Sequence, residues 1–124
     1  AGAQVRVSFT PLLAPMSRGI LATATATLSD GVRAETLREC LHNAYAHEPF
    51  VHVLPEGQWP ATSSTYGVNT VHIQVAADAH SGRAVVIAAI DNLVKGAAGQ
   101  AIQNANLILD LPEATGLATD GVAP

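Results

Sequence analysis

Four side chains of this 124-residue sequence stand where they could do chemistry: Arg18, Cys40, Asn92 and Lys95. Arg18 lies in Pro15-Met16-Ser17-Arg18-Gly19, a corner bounded by proline and glycine. A guanidinium fork at such a corner suits a carboxylate or a phosphate, and a plain surface or interface arginine is the alternative. Asp91 and Asn92 interrupt an apolar run over 84–90, and their short polar side chains suit a strand end or a helix cap. Lys95 and Gly96 follow, and Lys95 either meets a phosphate or is solvated. Gly96, Ala97, Ala98 and Gly99 leave four consecutive positions nearly bare. A bare helix start exposes backbone N–H groups and the positive end of the dipole to a ligand. Tight packing of the helix uses the same small residues. Cys40 falls mid-helix on an apolar stripe, which predicts an inert core thiol.

The five histidines do not suggest a metal site. His42 and His47 are five apart and off a common helical face. His52 and His72 fall on separate predicted strands, and His80 falls in a turn. No acidic residue is spaced to complete a ligand set. Trp59, beside Pro60, reads as a packing or interface residue.

The elements that must position these groups follow from periodicity. Residues 5–10 alternate Val5, Val7 and Phe9 with Arg6, Ser8 and Thr10, which predicts a half-buried strand. Pro11 and Pro15 keep the next segment out of a helix. Residues 20–28 alternate threonine with alanine and predict a second strand, antiparallel to the first. Ser29-Asp30-Gly31 is a turn. Residues 33–46 form an amphipathic helix with Leu37, Cys40, Leu41, Ala44 and Tyr45 on one stripe. A short strand at 50–54, an extended piece at 65–68, and longer strands at 70–77 and 84–90 follow. Ser81-Gly82 makes 78–83 a hairpin connection. From Ala98 the pattern Ala101, Ile102, Ala105, Ile108, Leu109 is helical, until Pro112 stops it. The order predicts an α+β fold, a mixed and largely antiparallel sheet with helices on one face.

Composition narrows the function. Hydrophobic residues are 48% and charged residues 13%, which fits a folded domain. The net charge of −4 gives no reason to expect nucleic acid or an anionic membrane. One cysteine excludes an internal disulfide framework, and a reducing, cytoplasmic setting is the expectation. No apolar stretch approaches the ~20 residues of a membrane span.

Four stretches in order carry a resemblance. They are F-T-P-L-L-A-P-M-S-R-G-I-L-A-T at 9–23, Y-A-H-E-P-F-V at 45–51, D-N-L-V-K-G-A-A-G-Q-A-I-Q-N at 91–104, and L-P-E-A-T-G-L at 111–117. Together they resemble the C-terminal part of the N-acetyl-gamma-glutamyl-phosphate reductases, within the semialdehyde dehydrogenase superfamily. The resemblance implies a fold like the C-terminal domain of glyceraldehyde-3-phosphate dehydrogenase-type enzymes. It implies a substrate and dimerisation domain at 1–90, and at 91–124 a cofactor-side corner, final helix and tail that pack on a dinucleotide-binding domain upstream. The implied reaction is NADPH-dependent reduction of N-acetylglutamyl phosphate to N-acetylglutamate semialdehyde, with phosphate release, in arginine biosynthesis. It proceeds through a cysteine thioester.

By that resemblance Arg18 binds substrate, while Asn92, Gly96 and Lys95 bind NADP. Asn69 resembles the end of a Gly-Ser-Asn stretch, with Val68 in place of the serine. The family's N-P-G-C-Y-like and H-R-H-x-P-E-like motifs do not occur, so no catalytic residue is expected in this chain. The expectation is a fragment of a cytoplasmic homo-oligomer, a dimer or tetramer, inactive alone. If its last helix normally docks elsewhere, Ile102, Leu107 and Ile108 should be left partly uncovered. Two alternatives stand beside this: the C-terminal domain of another semialdehyde dehydrogenase, such as the aspartate enzyme, or a non-catalytic dimerisation or binding module. The Pro15–Gly19 wording and Glu48-Pro49-Phe50 favour the first.

Overall fold

The structure, a computed structural model, describes residues 4–120. Its centre is a hairpin of two eight-residue strands, β3 (Val71–Asp78) and β4 (Arg83–Ile90). Val and Ile at seven of the sixteen positions favour the pleated, half-buried surface. The turn is closed by Asp78, whose carboxylate accepts from the Ser81 hydroxyl at 2.6 Å and from the His80 amide at 3.0 Å. Gly82 there takes φ +63, as the sequence signal requires. The strand β1 (Ile20–Thr27) lies antiparallel against β4, and the short β2 (Val51–Val53) lies parallel to β3. The sheet order is β1-β4-β3-β2, mixed and largely antiparallel, and the fold class is α+β as expected.

Residues 5–10 are not a strand. They run as irregular chain, with Val7 81% and Phe9 84% exposed, and β1 pairs with β4 instead. Alternation can only become a strand where an edge accepts its hydrogen bonds, and no described strand pairs with this segment. Residues 65–68 are also not extended. Thr62–Thr65 form one 3₁₀ turn, tied by the Thr65 hydroxyl to the Thr62 carbonyl.

The helix α1 (Ala34–Tyr45) packs on β2 and β3. The side it half-buries carries Ala34, Leu37, Arg38 and Leu41. Cys40, Ala44 and Tyr45 are exposed, so the expected stripe is rotated toward Arg38 and Cys40 is not a core residue. Arg38 keeps its stem against the protein while its guanidinium reaches Glu56 at 3.3 Å, a stem-in, charge-out arrangement that displaces the thiol.

After β4 the chain makes a π-helical turn, Val94–Ala98, and then α2 (Gly99–Ile108). The wide turn comes from five-residue hydrogen bonds, Gly96 N–H to the Asp91 carbonyl at 2.8 Å and Ala98 N–H to the Leu93 carbonyl at 3.0 Å. The buried residues of α2 are Gly99, Gln103 and Asn106, a polar stripe. Its apolar stripe faces out, with Ile102 44%, Leu107 56% and Ile108 82% exposed. Asn106 holds the tail by donating to the Glu113 and Thr115 carbonyls, each at 2.9 Å. The Asn69 amide donates to Ala118, so residues 111–118 wrap back over the loop before β3. Among the described residues no helix is long and apolar enough to cross a membrane.

Candidate functional site

Two chain segments meet at one end of the sheet, where β1 begins and β4 ends. The register sets Ile20 opposite Ile90, so residues 18–19 must lie beside residues 91–92. Four groups converge there: Arg18, Gly19, Asp91 and Asn92.

Asp91 is completely buried. One carboxylate oxygen accepts from the Leu93 and Val94 amides at 2.8 and 2.9 Å, capping the π-helical turn. The other accepts from the Gly67 amide at 2.7 Å and lies 2.7 Å from Arg18 Nε. That last contact is off the line of the N–H, so it is an ion pair by charge more than a straight hydrogen bond. Burial alone would push the Asp91 carboxyl up. The Gly67 and Val94 amides, Arg18 and the Leu93 amide outweigh it and hold the group below its usual range. The same carboxylate raises the Arg18 pKa, against a smaller opposing effect of desolvation.

Arg18 lies with its guanidinium carbon 4.7 Å from the centre of the Tyr66 ring. Its side chain is 23% exposed. Asn92 is not a helix cap: its Oδ1 accepts from the Gly19 amide at 2.7 Å, across 73 residues of sequence. Gly19 has φ +106, and a Cβ there would sit 2.7 Å from that of Thr62, so only glycine lets this amide reach Asn92. The Asn92 Nδ2 has no partner among the described hydrogen bonds. The exposed Gly96 completes the corner, where a Cβ would come 3.3 Å from the Asp91 carbonyl.

Lys95 is turned away from this corner. Its ammonium donates to Gln103 Oε1 at 2.6 Å and lies 5.4 Å from the centre of the Phe50 ring. Desolvation lowers its pKa, partly offset by Glu113 and Glu48. Gln103 Oε1 also accepts from Asn69, which is wholly buried, and Gln103 Nε2 donates to Glu113 at 2.5 Å. Asn69 and Lys95 therefore belong to a packing network under α2. Its tightness fixes Gly99, where a Cβ would lie 2.7 Å from Val94 Cγ1 and 2.8 Å from the Val94 carbonyl.

A model of the semialdehyde dehydrogenase dimerisation domain matches residues 1–92. The chain belongs to this family. The match takes in Arg18, Asp91 and Asn92 and stops before Lys95, Gly96 and α2. Three relatives cover the remainder. N-acetyl-gamma-glutamyl-phosphate reductase of Streptomyces coelicolor (strain ATCC BAA-471 / A3(2) / M145) is 63% identical over 124 residues, all of this chain. The proteins of the same name from Acidothermus cellulolyticus (strain ATCC 43068 / DSM 8971 / 11B) and Micrococcus luteus are 60% and 59% identical, again over all of it. The chain spans 36% of the length of each.

For this semialdehyde dehydrogenase domain, sequence reasoning singled out Arg18, Asn92 and Gly96 separately, the structure brings them to one corner, and Asp91 was missed as their hub. The available signal was a charged residue ending an apolar strand, where a neutral cap suffices. His52 and His72, assigned to separate strands, stack at 5.5 Å because those strands are neighbours. Among the described residues no group of three or more His, Cys, Asp and Glu side chains could hold a metal ion.

Proposed function

We propose that the chain is the C-terminal part of an N-acetyl-gamma-glutamyl-phosphate reductase. The enzyme reduces N-acetylglutamyl phosphate to N-acetylglutamate semialdehyde with NADPH and releases phosphate, a cytoplasmic step of arginine biosynthesis. The observation that carries this is the 63% identity running the full length of the chain. Residues 1–90 are its substrate and dimerisation part, and the whole enzyme is a homo-oligomer. Residues 91–124 are the cofactor-side corner, with the exposed apolar face of α2 packing on the dinucleotide-binding part.

The corner fits that chemistry in its own residues. Arg18 is a held cation for the substrate's carboxylate or phosphate. Asn92 keeps Nδ2 to donate to the carboxamide of a nicotinamide, and Gly96 keeps the approach open. Lys95, engaged with Gln103, has no part in that contact. When bound, NADPH supplies the hydride. The thiolate that displaces phosphate and the imidazole that moves the proton come from the rest of the reductase. In that sequence the residues of this chain bind and orient.

The test follows phosphate-dependent oxidation of N-acetylglutamate semialdehyde by NADP⁺. The 124 residues alone should be silent, and a reductase of the relatives' full length that includes them should turn over. Turnover by the 124 residues alone would overturn the account and make the exposed Cys40 the candidate nucleophile.

A further inference from the structure

Asp91 does more than a cap requires. The Leu93 and Val94 amides would be satisfied by serine, threonine or asparagine, which cap as well as aspartate. A fully buried charge is costly unless it is paired. The pairing is on the other oxygen, with Arg18 at 2.7 Å. The backbone of the same arginine is fixed one residue on, where the Gly19 amide meets Asn92 at 2.7 Å. Residues 18–19 are thus clamped by residues 91–92 at two points, one through the side chain and one through the main chain. Tyr66 covers the guanidinium on its face.

A free arginine side chain loses rotamer entropy when it is fixed. Here Asp91 and Tyr66 fix it in advance, through Nε and the ring face. The edge formed by Nη1 and Nη2 has no partner among the described hydrogen bonds.

We infer that Asp91 is a positioning residue, which holds Arg18 by Nε so that its Nη1/Nη2 edge grips an anionic group of the substrate, a carboxylate or phosphate. This rests on the reading of Arg18 as a substrate contact. Asp91 acts through Arg18 and touches no substrate.

A double-mutant cycle in the full-length reductase tests it, with wild type, Asp91→Asn, Arg18→Gln and the double variant. KM is measured for inorganic phosphate and for N-acetylglutamate semialdehyde in the oxidative direction. The Asp91→Asn amide can offer oxygen to only one of its two sets of N–H partners. With Arg18 present it should raise one of these KM values about tenfold or more, with a smaller change in kcat. In the Arg18→Gln background the same change should move that KM less than about twofold. Equal losses in both backgrounds, or a loss confined to kcat, would make Asp91 a fold residue only and overturn the inference. If Asp91→Asn does not fold, Arg18→Lys replaces it. It keeps a cation beside Asp91 and removes the fork, and a wild-type KM for both probes would then contradict the inference.

An active wild type whose KM values are unmoved by Arg18→Gln removes Arg18 from the site, and this inference with it, while the reductase reading stands. An inactive wild type sinks the reductase reading instead. The positioning role is then read from phosphate titrated against the Arg18 Nε–H resonance. Saturation in wild type and none in Asp91→Asn supports it, and identical titrations contradict it.

Discussion

The corner around Asp91 and the two ends of the described chain solve opposite problems. At the corner, polar groups are buried and the Asp91 carboxylate is satisfied inside the chain. Asp91 has no exposure and four partners, and Thr65 and Asn69 are as fully buried, with Thr70 close to it. At the ends, apolar groups are bare. Leu12, Leu13, Ile108 and Leu109 are each at least 66% exposed. Burial of these side chains would gain about 1.5–3 kcal/mol each, so their exposure marks surface that the fold does not use for itself. Local order at the corner comes from hydrogen bonds that the chain makes alone, while the ends leave apolar side chains uncovered.

The largest effect that can break this contrast is loss of the hub. Asp91→Ala leaves Arg18 and three amides without an acceptor. It should lower unfolding free energy by about 3–5 kcal/mol in urea denaturation. A loss under about 1 kcal/mol would mean that the corner is not a stability centre. Next is Gly99→Ala, where the added carbon meets Val94 side chain and backbone. Overpacking of this kind costs about 1–3 kcal/mol, read in the same experiment.

Acidification should act on the same side of the contrast. The Asp91 carboxyl is held below its ordinary 3.8, so the folded chain binds fewer protons than the unfolded one. Its contribution is present above pH 3.8 and is lost as pH falls through the folded value. Burial and the neighbouring His52 lower His72 from 6.5 in the same sense, so its contribution begins to fade below pH 6.5. Stability measured against pH should therefore decline from about 6.5 downward and again below 3.8. A midpoint that rises on acidification from pH 6.5 to 4 would contradict the His72 assignment, and one that rises below pH 3.8 the Asp91 assignment.

Much of the fold was legible where the sequence acts locally. The β3–β4 hairpin follows from β-branched runs and an Asp-x-x-Ser-Gly turn whose bonds close within five residues. The part of the site that was legible, Arg18 and Asn92, came from motif wording and from polar residues at corners. Asp91 was readable only as a cap, because the contacts that make it a hub reach Gly67 and Arg18, 24 and 73 residues away. Residues 5–10 show the converse. Their alternation is real, and a strand still needs an edge to pair with. Cys40 was misplaced because Leu37, Arg38 and Leu41 fit the sheet better, and helical periodicity alone does not fix the rotation to within one residue.

The smallest effect on stability falls at the ends. Ile108→Ser with Leu109→Ser should change unfolding free energy by no more than about 0.5 kcal/mol, since both are exposed. The same pair should reduce self-association and ANS binding of the 124-residue chain. A monomeric, ANS-silent wild type would show that these side chains are covered after all.

Amide hydrogen exchange, compared between the 124-residue chain and the full-length reductase, tests the central claim most directly. The amides of Gly67, Leu93, Val94 and Gly96 should be protected equally in both, because their acceptors lie on Asp91. The amides of α2 around Ile102–Ile108 should gain protection only in the full-length protein. Equal protection of α2 in both forms, or corner amides that exchange freely in the chain alone, would contradict the account.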